Sequence, residues 1–555
     1  MLRTWSWAVL ALLLAATLAG AAALDRRSWP ELMGDEATYL MQAQSLAWDF
    51  DLRYSRADYD RFVAQWGKKP DGLILQSGEG GSALLYSKPI SYSLYIAPFV
   101  RLSPVRGAGI ANALLLALAG IVAARTLSRR IGPAAPLWVA AFLFASVTFA
   151  YVFWVHSDLF LLCLVALAFS LAYGVLPEET ETRGRAVLRW AAVGVLLGLV
   201  VMSRPFYAPL LLPAFLAVPA RDRKVGIAAL AASAGAVALS ATLFNLVERE
   251  SWSSYSSAQR RSFYSYTGFP EVDLPPDGFQ KELAARGTHS WTFRVNSDGK
   301  QAAWNSLYFL AGRHTGLLPY FLPVALGFLV FRRGEGRWAL VFAVAVSMAL
   351  FLAMRPFNFY GGGGAIADRY FLPLYPALWF LAARPSRAAW PLLAAALAAP
   401  FLLPLWTAPR AFPIDPAGGY RYVSDFARRW LPYETTQSHL KPAGREDLVH
   451  NALWVKLLSN TLRPEEDGAR LVLAAGREGQ ILLGSPTPLE GVQLEMTAPL
   501  EVDGTAVTEK VFPVRFSSPR AVHRMWWTDG APWYLYQVRL ESKGGEEVSF
   551  RIRTP

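Results

Sequence analysis

GAGIANALLLALAGIVAARTLSRR, residues 107–130, carries no charge from Gly107 to Ala124 and then meets Arg125, Arg129 and Arg130. An uncharged run of that length crosses the hydrocarbon core of a bilayer, and the basic cluster that stops it marks a cytoplasmic end. The pattern recurs along the 555 residues, which are 54% hydrophobic and 17% charged. The hydropathy predicts spans at Trp5–Leu24, Gly107–Leu127, Ala135–Trp154, Leu159–Leu176, Val187–Met202, Pro205–Ala220, Val225–Val247, Thr315–Phe331, Trp338–Met354, Tyr370–Ala383 and Ala389–Thr407. This is a polytopic α-helical membrane protein of about 11 transmembrane helices.

The loops orient it. Arg183, Arg185 and Arg189, then Arg221, Arg223 and Lys224, then Arg332, Arg333 and Arg337, then Arg384 and Arg387 fall in every second loop, as do Arg125, Arg129 and Arg130. Short cytoplasmic loops retain Lys and Arg, so the N-terminus is expected inside and the C-terminal segment outside. The same loops account for most of the formal net charge of +12, and no nucleic-acid motif accompanies it. The first apolar segment ends in Ala-Gly-Ala-Ala-Ala but has the length of a full span, which favours a retained signal anchor over a cleaved signal peptide. The lone cysteine, Cys163, excludes an internal disulfide and a thiol-based zinc site. The Arg-, Ala-, Pro- and Gly-rich composition suggests a GC-rich bacterial genome, hence a bacterial cytoplasmic (inner) membrane.

Nearly all the polar chemistry falls on the outer side, and no internal repeat is visible. A flippase or transporter of lipid-linked glycan would bury ionisable groups deep in its spans and show related halves, so one-sided chemistry favours an enzyme. A non-catalytic envelope-assembly protein is the other competing class. The sharpest outer feature is Gly34-Asp35-Glu36-Ala37-Thr38-Tyr39, two carboxylates opening a helical run from Leu40 to Trp48. Negative charge at a helix start caps it and suits its dipole; equally, it is where a membrane enzyme would hold a base. On a helix Asp35 and Tyr39 share a face, and Glu36 points about 100° away. The two carboxylates are therefore expected to divide roles.

Met33 to Tyr39, Ser87-Lys88-Pro89, Ser157-Asp158 and Asp368-Arg369-Tyr370-Phe371-Leu372-Pro373 occur in this order on one side of the membrane. In that arrangement the chain, over residues 1–408, resembles the class C glycosyltransferases, nearest the bacterial aminoarabinose transferase and protein O-mannosyltransferase branches. The resemblance implies transfer of a sugar from a polyprenyl-phosphate donor to an extracytoplasmic hydroxyl on lipid, glycan or protein, with inversion. It implies Asp35 as base for the acceptor, with Glu36 and Asp158 as further acidic groups of the catalytic set. Lys88, Arg369 and Arg204 are the expected donor phosphate ligands, since a lipid-phosphate leaving group needs its charge stabilised and not a proton. Tyr39, His156, His314 and Tyr370 are possible edges of the site. Asp35 and Asp158 would suit Mg or Mn, and adding His156 would admit Zn; Asp158 equally suits a plain helix cap. A ligase using a pyrophosphate-linked glycan is a near alternative, separable by donor.

The Gly361 to Gly364 run offers backbone able to approach a ligand, and the polar loop from Glu248 to Arg313 suits either a mobile cover or a disordered insertion. Beyond residue 408 the composition turns polar, and residues 409–555 are read as an extracytoplasmic soluble domain, helical and then β-sandwich-like. Helices are expected over Tyr420–Trp430 and Glu446–Leu462, then strands at Leu471–Ala474, Gln480–Leu483, Val492–Met496, Val511–Phe516, Trp533–Leu540 and Val548–Ile552. Trp526, Trp527 and Trp533, with Tyr534 and Tyr536, could stack on sugar rings as a glycan-binding face or fill a sandwich core.

Overall fold

The computed structural model describes residues 2–77, 83–174, 181–249, 251–255, 260–284, 299–330, 337–356, 358–362, 365–382, 387–414, 420–434, 436–437, 448–450, 453–459, 461–465, 470–485, 487–516, 521–524 and 532–553. Five stretches are helical, long and apolar enough to cross a membrane: Leu2–Ala23, Gly107–Phe144, Arg183–Ser203, Ala220–Arg249 and Ala389–Thr407. Ser157–Ala172, Pro205–Leu216 and Trp338–Met354 are shorter apolar helical stretches. The protein is a multi-pass helical membrane protein with a β-rich C-terminal region.

In chain order the helices that matter begin with α1 (Leu2–Ala23), α2 (Glu36–Trp48), α3 (Arg56–Trp66), α4 (Ile90–Leu102), α5 (Gly107–Ile131), α6 (Ala135–Phe144), α7 (Ser157–Ala172) and α8 (Arg183–Ser203). They continue with α9 (Leu211–Leu216) and α10 (Arg223–Arg249). The helical body ends with Leu317–Leu326, Trp338–Met354, Tyr375–Trp379 and Ala389–Thr407. Among the described residues each of the eleven expected segments contains helix, but several are broken. The expected span Ala135–Trp154 divides into α6 and a 3-10 turn, Thr148–Phe153, and Tyr370–Ala383 begins as a 3-10 turn, Arg369–Leu374, before Tyr375–Trp379. Pro373 and Pro376 cannot donate to the ladder, which keeps that backbone irregular where it carries Arg369.

The helices α8 and α10 pack as a close pair: a side chain at Gly194 would lie 2.0 Å from Ser233 Oγ and 2.4 Å from the Leu230 carbonyl. Gly194 and Gly198 thus form the small-xxx-small seam used where apolar burial alone cannot hold helices together in lipid. The opposite face of α10 leaves Leu239, Leu243, Leu246 and Val247 exposed at helical spacing, as a lipid-facing surface requires.

The first long loop is more ordered than its composition suggests. It contains α2, α3 and α4 and three strands, β1 (Arg53–Tyr54), β2 (Leu73–Ser77) and β3 (Leu84–Tyr86). A fourth strand, β4 (Arg260–Phe263), comes from the second polar loop and pairs antiparallel with β2, Gln76 opposite Arg260 and Leu73 opposite Phe263. That part of the Glu248–Arg313 loop is therefore neither a detached cover nor a disordered insertion. This strand, Arg260-Arg261-Ser262-Phe263, buries both arginines and buries Phe263 completely.

After Thr407 a short helix, Asp425–Trp430, replaces the longer Tyr420–Trp430 expectation. The helix expected over Glu446–Leu462 is overturned: Leu448–His450, Leu453–Leu457 and Leu462–Pro464 are strands. Leu453, Val455 and Leu457 are buried at a period of two, and Leu453–Leu457 belongs to the sheet that runs along Glu478–Ser485 and Pro532–Glu541. A second antiparallel sheet runs Val511–Pro513, Gln493–Met496, Val548–Arg553, Leu471–Leu473 and Leu462–Pro464. The two sheets enclose their own apolar core, with Leu483, Leu494, Val538, Leu540 and Phe550 at its centre.

Candidate active site

Asp35 occupies the position before α2, but its side chain makes no capping bond. Instead its carboxylate is ion-paired with Lys88, lies 3.3 Å from His156 Nδ1 and 3.9 Å from Arg369 Nη1. Asp158, in the first turn of α7 and 0% exposed, lies 2.5 Å from Arg204 Nη1 and 3.5 Å from Arg369 Nε. His156, not Asp158, holds the cap position of that helix. Residues from five separate segments thus meet in one cluster of two carboxylates, one imidazole, one ammonium and two guanidinium groups.

Each side chain is held by its backbone. Lys88 follows β3 and precedes Pro89, the cap residue of α4; its carbonyl accepts from Gln42 Nε2 at 3.2 Å and Arg249 Nη2 at 2.8 Å. Its ammonium lies 5.3 Å over the Tyr39 ring, whose hydroxyl meets Ser157 Oγ at 3.1 Å, so Tyr39 walls the site as the shared helix face with Asp35 requires. Arg204 ends α8, stands 4.7 Å over the Tyr370 ring and donates to Tyr207 Oη at 3.1 Å. Arg369 N–H donates to the Tyr360 carbonyl at 2.9 Å. Gly361, at φ +115°, makes that approach possible: a Cβ there would lie 2.8 Å from Arg369 Nε. Gly363 and Gly364 lie outside the described residues.

Burial opposes the charge on Asp35, which is 13% exposed, yet the fields of Lys88 and Arg369 hold its carboxyl well below the usual range. Burial lowers Lys88 to about 8 against the pull of Asp35. Burial, then Arg369, lowers His156 to about 4, so its ring is neutral. The tautomer that serves both neighbours donates Nδ1–H to Asp35 and accepts at Nε2 from Arg369, 3.2 Å away. The acids expected to take Mg, Mn or Zn are engaged by cations, and no group of three or more metal-binding side chains gathers among the described residues. This arrangement does not fit a metal at Asp35, Asp158 and His156.

Two expected members lie elsewhere. Glu36 is fully buried and turned from the cluster: it pairs with Arg26 and accepts from the Met33 N–H at 2.8 Å and the Val155 N–H at 2.7 Å. It braces the Asp35 turn against the strand-like step before His156, and the catalytic role expected for it gives way to that. His314 is bonded to Glu434, Nδ1 to Oε2 at 2.9 Å, and the same carboxylate accepts the His314 and Thr315 N–H groups. It fixes the segment after Thr407 to the helical body, beside Arg313 Nη2, which donates to Gln480 Oε1 of the β-rich region at 2.8 Å. Trp526 and Trp527 lie outside the described residues, as does the side chain of Trp533. Tyr536 fills the sandwich core against Phe516, ring centroids 4.6 Å apart. Arg249, Arg260, Gln42 and Tyr207 surround the cluster and were not singled out from sequence.

Residues 86–277 match the model of glycosyltransferase family 87, a segment that contains Lys88, His156, Asp158 and Arg204 but neither Asp35 nor Arg369. The match bears out the resemblance carried by the motifs. No curated protein matches the chain. Among solved structures, the crystal structure of ArnT from Cupriavidus metallidurans bound to undecaprenyl phosphate is 16% identical, with a TM-score of 0.42 over 73% of this chain and 65% of that one. The alignment thus spans a little under two thirds of ArnT.

Proposed function

We propose that the protein is a membrane glycosyltransferase that moves a sugar from a polyprenyl-phosphate donor to a hydroxyl on an extracytoplasmic lipid, glycan or protein, with inversion. The observation that carries this reading is the convergence of Lys88, Arg204 and Arg369 on Asp35 and Asp158, with Lys88, Asp158 and Arg204 inside the segment that matches a glycosyltransferase family. The topology that goes with it has eleven crossings of a bacterial inner membrane, the N-terminus cytoplasmic and the cluster on the outer side.

The chemistry follows from the charges. The acceptor oxygen attacks the anomeric carbon as its bond to the phosphate oxygen breaks, the acceptor proton passes to Asp35, and the electron pair leaves on the lipid phosphate. Lys88 and Arg369 stabilise that developing charge, and Asp158 holds Arg204 and Arg369 in place for it. A phosphate that draws Lys88 and Arg369 away from Asp35 removes the fields that keep its carboxyl acidic. Donor binding thereby turns a weak base into a stronger one at the moment the acceptor needs it.

Asp35→Asn tests this. It keeps the size of the side chain, removes the proton acceptor, and is expected to lower transfer about 10²- to 10⁴-fold with donor binding retained. Near-normal turnover by folded Asp35→Asn protein, measured with a polyprenyl-phosphate sugar, would overturn the assignment.

A further inference from the structure

The backbone that presents Lys88 is held by two more arginines, Arg249 at the end of α10 and Arg260 at the start of β4, both buried. Arg249 is a brace: Nη1 donates to Asn245 Oδ1 at 2.7 Å and Nη2 to the Lys88 carbonyl. Arg260 is different. Among the described residues its guanidinium makes one hydrogen bond, Nε to the Ser87 carbonyl at 3.3 Å, and it pairs with no carboxylate. Its Cζ stands 5.2 Å over the Tyr255 ring, within electrostatic reach of Asp35, Tyr39 and Tyr370.

Around the cluster, then, Lys88, Arg204, Arg260 and Arg369 face Asp35 and Asp158, since Arg249 has Glu248 beside it and Glu36 is committed to Arg26. Buried cations in excess are costly unless an anion joins them. A sugar on a single lipid phosphate is a phosphodiester and brings one negative charge, too little to match the excess.

We infer that the site takes two phosphate groups, the first at Lys88 and Arg369 and the second at the Nη atoms of Arg260. The inference rests on the donor reading above and extends it. The second phosphate belongs either to a diphosphate-linked donor or to a separate phosphate-bearing lipid acting as acceptor; the recognition chemistry at Arg260 is the same.

Binding of polyprenyl phosphate, polyprenyl diphosphate and a short-chain phosphatidic acid to the full-length protein in detergent separates these. If the second phosphate is the donor's, the diphosphate binds at least tenfold more tightly than the monophosphate. If it is the acceptor's, the two bind alike and phosphatidic acid binds to protein already saturated with polyprenyl phosphate. In either case Arg260→Gln removes the extra affinity, about 10- to 100-fold for one charge-assisted contact, and Arg260→Lys retains part of it. No diphosphate preference together with no phosphatidic acid binding in the wild-type protein would overturn the inference, as would an extra affinity unchanged in Arg260→Gln. Polyprenyl phosphate that fails to bind, or binds Lys88→Ala equally well, would overturn the donor reading itself.

Discussion

Raising the pH should switch off donor capture through one side chain. Lys88 titrates at about 8 in place of its ordinary 10.5 because burial outweighs the attraction of Asp35. Below about 8 the ammonium is present to meet a phosphate; each unit above it removes a further tenfold of the protonated form. Since kcat/KM reports the free enzyme, kcat/KM for the donor should fall about tenfold by pH 9 and approach a hundredfold by pH 10. Bound phosphate favours the ammonium, so kcat should stay level to higher pH than kcat/KM. The stability effect has the opposite sign. A lysine whose folded value is depressed destabilises the fold below that value, and the penalty is relieved as pH rises from about 8 towards 10.5. Unfolding driven by this group therefore cannot imitate the loss of donor capture. Lys88→Arg keeps the charge across the range and should abolish the alkaline limb, even at some cost in rate from altered geometry. Steady-state transfer with donor varied from pH 6.5 to 10, in wild type and Lys88→Arg, is the assay. A flat wild-type profile, or a limb that survives in Lys88→Arg, would refute the reasoning.

Glu36→Gln should cost about 3–5 kcal/mol of stability, because it leaves Arg26 charged and buried without its partner, and thermal unfolding in detergent reads this directly. Unchanged stability would return Glu36 to the candidates for catalysis. Gly361→Ala forces a Cβ against Arg369 at φ +115° and should weaken polyprenyl-phosphate binding about tenfold; an unaltered affinity would show that Arg369 does not depend on that turn. Glu434→Gln removes the ionised acceptor shared by His314 and Thr315 and should lower thermal stability with little change in donor affinity, whereas a matching fall in affinity would tie that junction to the site.

Charge and periodicity made most of this legible. The apolar runs located the helical segments of the membrane body, and the family resemblance carried by the ordered motifs singled out Asp35, Lys88, Asp158 and Arg369, which the fold brings together. Direction was harder to read. Asp35 and Glu36 are neighbours, and helical geometry separates their faces, but only the fold shows that Glu36 is spent on Arg26 and two backbone N–H groups. His314 was expected at the edge of the site, yet its partner is 120 residues away and no local pattern points to Glu434. The misread helix at Glu446–Leu462 failed for the usual reason with short apolar runs: Leu453, Val455 and Leu457 alternate, but over too few residues to decide the period against mixed neighbours. Arg260 escaped notice because its loop was judged by composition, and the pairing of β4 with β2 is non-local.

The cluster is drawn from positions 35, 88, 156, 158, 204 and 369, and this spacing sets an order on biogenesis. As the chain is inserted, Asp35 can meet Lys88 early and Asp158 can meet Arg204 next, so each acid finds a cation soon after it emerges. Arg369, which touches both carboxylates and the imidazole, arrives last, on a segment held by the Tyr360 carbonyl and followed by the final helices of the membrane body. A chain that ends before Arg369 holds both acid–cation pairs but lacks the group that joins its two acidic halves. The cluster is therefore complete only when nearly all of the membrane body has been made.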